Sequence, residues 1–138
     1  MTPPARVLAV DLGATSVRVA AVELDAPKPE VEVLHRWHHS PMAASDGSLR
    51  WDWPRIVTEV ERGLDLGIAA GPVASIGVDG WGVDYGLIDR DGHLVGLPYS
   101  YRDPRTEGWQ STAEAIGVEH LYQVTGIQLM AFNTIFQL

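Results

Sequence analysis

Residues 7–18 read VLAVDLGATSVR, an apolar run followed by a glycine-containing turn and the start of a second run. Val7–Leu12 has the length and the Val, Leu and Ala content of a buried strand. Gly13–Ser16 is typical of a tight turn, in which Gly13 is free to take a positive φ. Val17–Leu24 predicts a second strand, so the stretch as a whole predicts a β-hairpin that opens the fold.

The segments after this hairpin predict a mixed α/β domain. Val31–Trp37 is a third strand, and its short connection to the second strand favours an antiparallel meander. A helix is expected from Pro54 to the Gly71-Pro72 pair. Its apolar stripe recurs every four residues, at Ile56, Val60, Leu64 and Ile68. Val73–Val78 follows this helix, so it is expected to join the sheet in parallel through a crossover.

The second half of the chain has weaker patterns. Tyr85–Ile88 and His93–Leu97 predict a hairpin, because an Asp-Arg-Asp-Gly turn signal separates them. A helix is expected over Thr106–Ile116 and a shorter one over Glu119–Val124. Asn133 is a candidate N-cap of a further helix. The chain then stops on an apolar run, which predicts a fragment of a longer protein.

Composition bounds the classes of function. The chain has 138 residues, 46% hydrophobic and 20% charged, which suits one packed domain. Ten basic against eighteen acidic side chains give a net charge of −8, which argues against a nucleic-acid partner. Cysteine is absent. No apolar stretch approaches the ~20 residues of a membrane span, so a cytoplasmic protein without a membrane partner is expected.

The most informative motif is Asp11–Arg18, which lies between the first two predicted strands. A turn of this composition can direct successive backbone N–H groups at one point and hold phosphate oxygens without net positive charge. Thr15 and Ser16 add hydroxyl donors. Asp11, at the end of a buried strand, suits a hydrated Mg²⁺ ion. The alternative is an ordinary hairpin turn with a surface carboxylate.

Two further segments are candidates for ligand contacts. Asp79–Gly82 follows the fourth predicted strand, and ligands of open α/β sheets bind beyond the carboxyl ends of strands. The alternative is that its glycines serve a bulge and Trp81 belongs to the core. Arg102–Thr106 would edge a substrate cleft, or would simply start a helix that Asp103 caps. The His38-His39 pair is interpreted as an exposed strand end.

These residues resemble a known family. The segment 11–18 is similar to the first phosphate motif of the actin-like, hexokinase-type ATPases. Four longer segments in the same order resemble the rhamnulokinase branch of the FGGY carbohydrate kinases: SIGVDGWGVDY (75–85), GLPYSYRDPRT (96–106), YQVTGIQ (122–128) and FNTIFQL (132–138). Gly82 and Val83 stand where many of the wider family have an Arg-Glu pair, which fits this branch.

The resemblance implies fold and activity together. It implies an α/β, ribonuclease-H-like (actin-like ATPase) domain with a mixed five-stranded sheet flanked by helices. Residues 1–138 would be the incomplete N-terminal domain, with the second, C-terminal lobe absent. The implied reaction is ATP- and Mg²⁺-dependent phosphorylation of L-rhamnulose at its 1-hydroxyl, in rhamnose breakdown. The residues alone would equally suit xylulose, fuculose or ribulose.

The resemblance also implies residue roles. Asp11 would lie near the metal. The ATP site would comprise Asp11, Gly13, Ala14, Thr15, Ser16, Val17 and Arg18. Gly82 would contact the sugar, beside Trp81, Arg102 and Asp103. The general base would lie beyond residue 138, so no catalytic residue is expected within these residues, and the chain alone is expected to be inactive.

Two other functions stay open from the sequence. One is a non-catalytic module that keeps a phosphate or sugar pocket. The other is a ribonuclease-H-like nuclease, in which Asp11, Asp79 and Asp84 would surround two metal ions. An incomplete domain would also expose an apolar sheet edge, which allows self-association.

Overall fold

A computed structural model describes residues 6–25 and 27–138 of the chain. The strands are β1 (Arg6–Leu12), β2 (Ser16–Glu23), β3 (Glu30–His38), β4 (Met42–Ala43), β5 (Leu49–Arg50) and β6 (Ser75–Asp79). The helices are α1 (Trp53–Ala69), α2 (Trp109–Ile116), α3 (Val118–Thr125) and α4 (Thr134–Gln137), with one 3₁₀ turn at Pro104–Thr106. No helix in the described ranges is long and apolar enough to cross a membrane.

The chain divides into two compact units. The first, called here the sheet unit, falls within Met1–Ser40 and Asp52–Gly82. The second, called here the loop unit, comprises Pro41–Trp51 and Val83–Leu138. The sequence predicted a single partial domain over 1–138, so this internal division is a structural finding.

The sheet unit contains the predicted mixed sheet. Its strand order is β3-β2-β1-β6, with antiparallel pairing among the first three and parallel pairing of β6 with β1. The meander and the crossover through α1 are therefore confirmed. Four strands form this sheet within the described ranges, where the family resemblance implied five. The pairing of β2 with β3 shifts register between Val19 and Ala20.

Helix α1 begins as the sequence predicts, because Asp52 accepts a hydrogen bond from the Arg55 backbone N–H at 3.2 Å and a proline lies in the first turn. Its buried stripe differs from the prediction. The buried positions are Ile56, Glu59, Gly63 and Gly67, whereas Ile68 is 58% exposed. A strict four-residue spacing drifts around the helix by about 40° at each step, so the predicted series leaves the buried face.

Two glycines let α1 approach the sheet closely. A Cβ atom on Gly63 would lie 2.6 Å from Val19 Cβ, and one on Gly67 would lie 2.6 Å from Leu8 Cδ2. Both distances are below any normal carbon contact. The core of the sheet unit therefore forms where helix backbone meets apolar strand side chains. Strand β6 is left exposed, with Ile76 at 49% and Val78 at 68%, and the expected self-association of such an edge stays a prediction.

The loop unit has less regular structure than the sequence predicts. The expected hairpin over 85–97 reduces to one bridge between Ile88 and Leu94. The expected helix from Thr106 is the 3₁₀ turn followed by α2, because Gly108 interrupts it with φ +83°. Strands β4 and β5 form a small hairpin that the sequence did not predict. Helix α3 is confirmed.

Candidate functional site

The turn between β1 and β2 carries the predicted phosphate-binding segment. The Gly13 N–H donates to the Ser16 carbonyl at 3.0 Å and closes the turn. The N–H groups of Ala14 and Thr15 have no hydrogen-bond partner in the described part of the chain. Two successive amides are therefore available to an anion. The central residues of an ordinary hairpin turn also leave their N–H groups without a backbone partner, so these amides suit both a phosphate site and the alternative of an ordinary turn.

The role of Gly13 differs from the prediction. Gly13 is not among the glycines with positive φ. A Cβ atom here would instead lie 3.1 Å from the Ser16 carbonyl oxygen. Glycine therefore relieves crowding in this turn, because a side chain here would require the Ser16 carbonyl to move by a few tenths of an ångström.

The other residues of the segment lie in different surroundings. Thr15 is exposed, whereas Ser16 is 8% exposed and Val17 is fully buried in the core of the sheet unit. Arg18 Nη2 lies 2.6 Å from Asp11 Oδ2, and both side chains are more than 40% exposed. The hydroxyl of Thr15 is therefore the more accessible of the two predicted hydroxyl donors.

A row of charged residues crosses the sheet beside this turn. Asp11 is the register partner of Arg18 on one side and of Asp79 on the other, and Arg18 pairs with Arg36 on β3. Register partners point to the same face of a sheet. Two arginines and two carboxylates thus line one face at the end of the sheet that carries the turn.

The two carboxylates suit a hydrated magnesium ion. The described part of the chain contains no group of three or more His, Cys, Asp or Glu side chains that could hold a metal ion. Mg²⁺ in nucleotide sites needs only one or two carboxylates, because water and phosphate oxygens complete its octahedron. Asp11 and Asp79 on adjacent strands fit that requirement.

His39, directly after β3, also contacts the turn. Its backbone N–H donates to the Thr15 carbonyl at 3.0 Å, and its Nε2 lies 3.0 Å from the Gly13 carbonyl oxygen. The interpretation of the His38-His39 pair as an exposed strand end is therefore wrong for His39, which is half-buried. The sequence offered no spacing that could have revealed this contact.

The second predicted motif follows β6 in the same unit. A Cβ atom on Gly80 would lie 3.3 Å from Leu12 Cβ, so Gly80 permits a close approach to β1. Gly82 has no atom within 4 Å of its Cβ position, so its backbone is open to a ligand. The ring of Trp81 lies edge-on to His39, with centroids 5.6 Å apart.

The third predicted motif lies in the loop unit, and its two named residues differ. Arg102 is exposed, with its Nε donating to the Tyr101 hydroxyl at 3.2 Å. Asp103 is only 5% exposed. It accepts from the Leu49 N–H at 2.6 Å and from the Arg105 N–H at 2.9 Å. Asp103 therefore caps the 3₁₀ turn and joins it to β5, as the helix-start alternative expected.

Asp84, also in the loop unit, has an unusual environment. Its Oδ2 accepts a hydrogen bond from the Trp51 indole N–H, and its Oδ1 is buried without a hydrogen-bond partner in the described residues. Burial raises the pKa of the Asp84 carboxyl above its ordinary value, against the Trp51 bond, which lowers it. The sequence named Asp84 only within the nuclease alternative, where Asp11 and Asp79 were its partners.

The chain is similar to proteins of known name and of known structure. No protein-family model matches the chain. It is 44% identical over 136 residues to a rhamnulokinase from Pectobacterium carotovorum subsp. carotovorum, which covers 96% of this chain and 27% of that protein. It is 43% identical over 135 residues to a rhamnulokinase from Klebsiella pneumoniae, which covers 95% of this chain and 28% of that protein. The chain thus spans about a quarter of the length of these curated relatives.

Solved structures show the fold. A gluconate kinase from Lactobacillus acidophilus superposes with a TM-score of 0.78 at 16% identity, over 97% of this chain and 27% of its own. A glycerol kinase from Plasmodium falciparum with ADP gives 0.77 at 17% identity, over 97% and 28%. The predicted α/β fold is confirmed, and so is the resemblance of this chain to the FGGY-type carbohydrate kinases and, among them, to rhamnulokinases.

Proposed function

We propose that the protein carrying this chain is an ATP-dependent kinase that phosphorylates L-rhamnulose at its 1-hydroxyl, in the breakdown of rhamnose. The observation that carries the proposal is the turn after β1, where the amides of Ala14 and Thr15 have no partner in the described part of the chain. Their availability suits terminal phosphate oxygens. The sugar rests on the 44% identity to a rhamnulokinase.

The residues of the sheet unit would hold the nucleotide. The amides of Ala14 and Thr15 would donate to phosphate oxygens, with the exposed Thr15 hydroxyl beside them. Asp11, with Asp79 beside it on the adjacent strand, would hold the hydrated Mg²⁺ ion. Bound Mg²⁺ would supply positive charge against the phosphate oxygens during transfer. Arg18, whose Nη2 lies 2.6 Å from Asp11 Oδ2, orients that carboxylate.

Of the four residues proposed for sugar binding, three would contact the sugar directly. Gly82 offers an uncrowded backbone, and the half-buried Trp81 precedes it in the chain. Arg102 is exposed and can donate to a sugar hydroxyl. Asp103 uses its oxygens within the protein, so its proposed part is to hold the segment that carries Arg102. A cytoplasmic location, where ATP is available, follows from the proposal.

The test is a kinase assay on the purified protein with MgATP and L-rhamnulose, compared with xylulose, fuculose and ribulose. We expect ADP release with L-rhamnulose and a sugar 1-phosphate identified by ³¹P NMR. Residues 1–138 expressed alone are expected to give no turnover. A folded, full-length protein that phosphorylates none of these ketoses would overturn the proposal, and ATP binding without turnover would favour the non-catalytic module.

The glycine of the turn supplies a variant for the same assay. Gly13→Ala places a Cβ 3.1 Å from the Ser16 carbonyl oxygen and so deforms the turn. We expect its KM for ATP to rise about tenfold, which corresponds to ~1.4 kcal/mol. Gly77→Ala, in β6, is the matched control because no atom lies within 4 Å of its Cβ position.

A further inference from the structure

His39 binds two carbonyl groups of the turn at once. Its backbone N–H donates to the Thr15 carbonyl, and its ring Nε2 lies 3.0 Å from the Gly13 carbonyl oxygen. A carbonyl oxygen only accepts hydrogen bonds, so Nε2 carries a proton in this contact. One residue from beyond the end of β3 therefore fixes two peptide groups of the turn.

Because the peptide bond is planar, these two hydrogen bonds also fix the directions of the neighbouring backbone N–H groups. In a trans peptide, the C=O of one residue and the N–H of the next lie in one plane and point in opposite directions. No cis peptide bond occurs among the described residues. The bond from His39 to the Gly13 carbonyl therefore directs the Ala14 N–H away from His39. The bond to the Thr15 carbonyl directs the Ser16 N–H in the same manner.

The ring of His39 is itself held in place. It stacks on Trp37 with centroids 5.6 Å apart and planes at 24°. The ring of Trp81 makes a second contact with the His39 ring, with centroids 5.6 Å apart and planes at 86°. Both are favourable aromatic geometries. The two indoles restrict the imidazole to the orientation in which Nε2 reaches the turn.

We propose that His39 is a positioning residue, which orients the Ala14 amide toward the phosphate oxygens of a nucleotide and joins the turn to the Asp79–Gly82 segment through Trp81. The inference rests on the proposed kinase function and assigns a role within the same site. It predicts that a donor at the position of Nε2, rather than a histidine as such, is what the turn requires.

The test compares three variants of the full-length protein. His39→Leu keeps bulk without a donor, His39→Gln keeps an N–H donor, and His38→Gln is the control because His38 is exposed. We expect His39→Leu to move the Ala14 amide resonance in ¹⁵N NMR spectra and to raise the KM for ATP about tenfold or more, as for a lost hydrogen bond to a charged group. The KM for the sugar should rise less than the KM for ATP, because His39 contacts the turn through two hydrogen bonds and the proposed sugar residue Trp81 through one ring contact.

Rescue separates positioning from general stability. His39→Gln should return the KM for ATP to within about threefold of the parent protein, because its amide can donate to the Gly13 carbonyl. Equal losses in His39→Leu and His39→Gln, or a parallel rise in the KM for both substrates, would overturn the role. An unmoved Ala14 resonance in His39→Leu would overturn it as well.

The NMR measurement also separates this inference from the proposed function. If the protein phosphorylates no ketose, titration with MgATP still reports on the Ala14 amide without turnover. An ATP-dependent shift that His39→Leu weakens would support the positioning role while the kinase assignment fails. If ATP leaves the Ala14 resonance of the parent protein unchanged, the role of His39 in nucleotide binding is wrong.

Discussion

The sheet unit and the loop unit have different interiors. In the sheet unit, most residues with almost no exposure are apolar, such as Leu8, Val17 and Val19. In the loop unit, four polar residues are buried beside three apolar ones: Ser100, Asp103, Thr106 and Gln137 beside Trp51, Ala113 and Leu121. The interior of the sheet unit is stabilised mainly by the burial of apolar side chains against the hydrogen-bonded sheet. The interior of the loop unit depends to a larger extent on individual hydrogen bonds, whose loss leaves a buried group without a partner.

Gln137 shows how the loop unit is built. Its Nε2 donates to the carbonyls of Val83 and Phe132, at 3.0 and 2.8 Å, and its Oε1 accepts from Arg105 at 2.6 Å. Its own carbonyl accepts from the Tyr85 hydroxyl. The side chain of Gln137 thus joins three separate residues of the chain, and its backbone carbonyl joins a fourth. The two units are therefore expected to lose stability under different substitutions.

The largest effect is expected from Gly63→Val. Its Cβ would lie 2.6 Å from Val19 Cβ, and Val19 is fully buried, so neither side can yield. We expect a loss of at least about 3 kcal/mol in the free energy of unfolding, at the upper end of overpacking effects. Urea unfolding of the purified chain measures it. Gly77→Ala, with no neighbouring atom within 4 Å, should change stability by less than about 1 kcal/mol.

The second prediction applies to the loop unit. Asp103→Ala removes the acceptor of the Leu49 and Arg105 amides from a site that is 5% exposed. We expect a loss of about 2–3 kcal/mol, because buried donors are left without partners. Hydrogen exchange at the Leu49 amide should accelerate, while the amides of β1 and β2 should exchange as before. Equal acceleration in both units would show that the proposed difference between them is wrong.

Glu59 is a buried carboxylate among the mainly apolar buried residues of the sheet unit. Its oxygens lie 2.6 Å from His35 Nε2 and 2.6 Å from Arg55 Nη2. Glu59→Gln keeps the shape and loses the charge, so we expect a loss of about 1–2 kcal/mol in urea unfolding. Arg55→Met should cost less, because Arg55 is half exposed. A loss below about 0.5 kcal/mol in Glu59→Gln would mean that the charge is unimportant there.

The smallest effect is a pH dependence in the loop unit. Burial raises the pKa of Asp84, so the folded chain keeps this proton to a higher pH than the unfolded chain. The stability that this group contributes is present below the ordinary Asp pKa and is lost as pH rises through the raised pKa. Asp84→Asn should remove this decline in urea midpoints measured between about pH 3 and pH 7.

Asp46 gives the opposite sign and serves as the control. Hydrogen bonds from the hydroxyl and the N–H of Ser48 lower the pKa of Asp46. Its contribution is therefore present above the ordinary Asp pKa and is lost as pH falls through the lowered value. If Asp84→Asn and Asp46→Asn alter the pH profile in the same direction, the environment assigned to Asp84 is wrong.

The sequence predicted the sheet unit well because periodicity reports apolar burial. Strands β1, β2 and β3, helix α1 and the parallel β6 all lie within two residues of their expected bounds. The buried stripe of α1 was not predicted, since Gly63 and Gly67 carry no hydrophobic signal. The loop unit was predicted poorly, because bonds such as those of Gln137 join residues far apart in the chain and leave no local pattern.

The candidate site was also predicted only in part. The turn at Gly13–Ser16 and the open backbone of Gly82 follow from composition and position at the ends of strands. His39 was missed because its contacts with the turn depend on the register of β3 against β2. A single sequence does not encode register in any short spacing, so a contact of this kind is found only in the folded chain.

The crowding at Gly13 has a consequence for evolution. A glycine retained for its dihedral angle can be exchanged for asparagine, and a glycine retained beside a side chain can be exchanged once that neighbour shrinks. Here the obstacle is the carbonyl oxygen of Ser16, which every amino acid at that position would also carry. No second-site replacement at residue 16 removes this oxygen, so we expect a descendant that replaces Gly13 to accommodate the change by a small shift of the turn backbone itself.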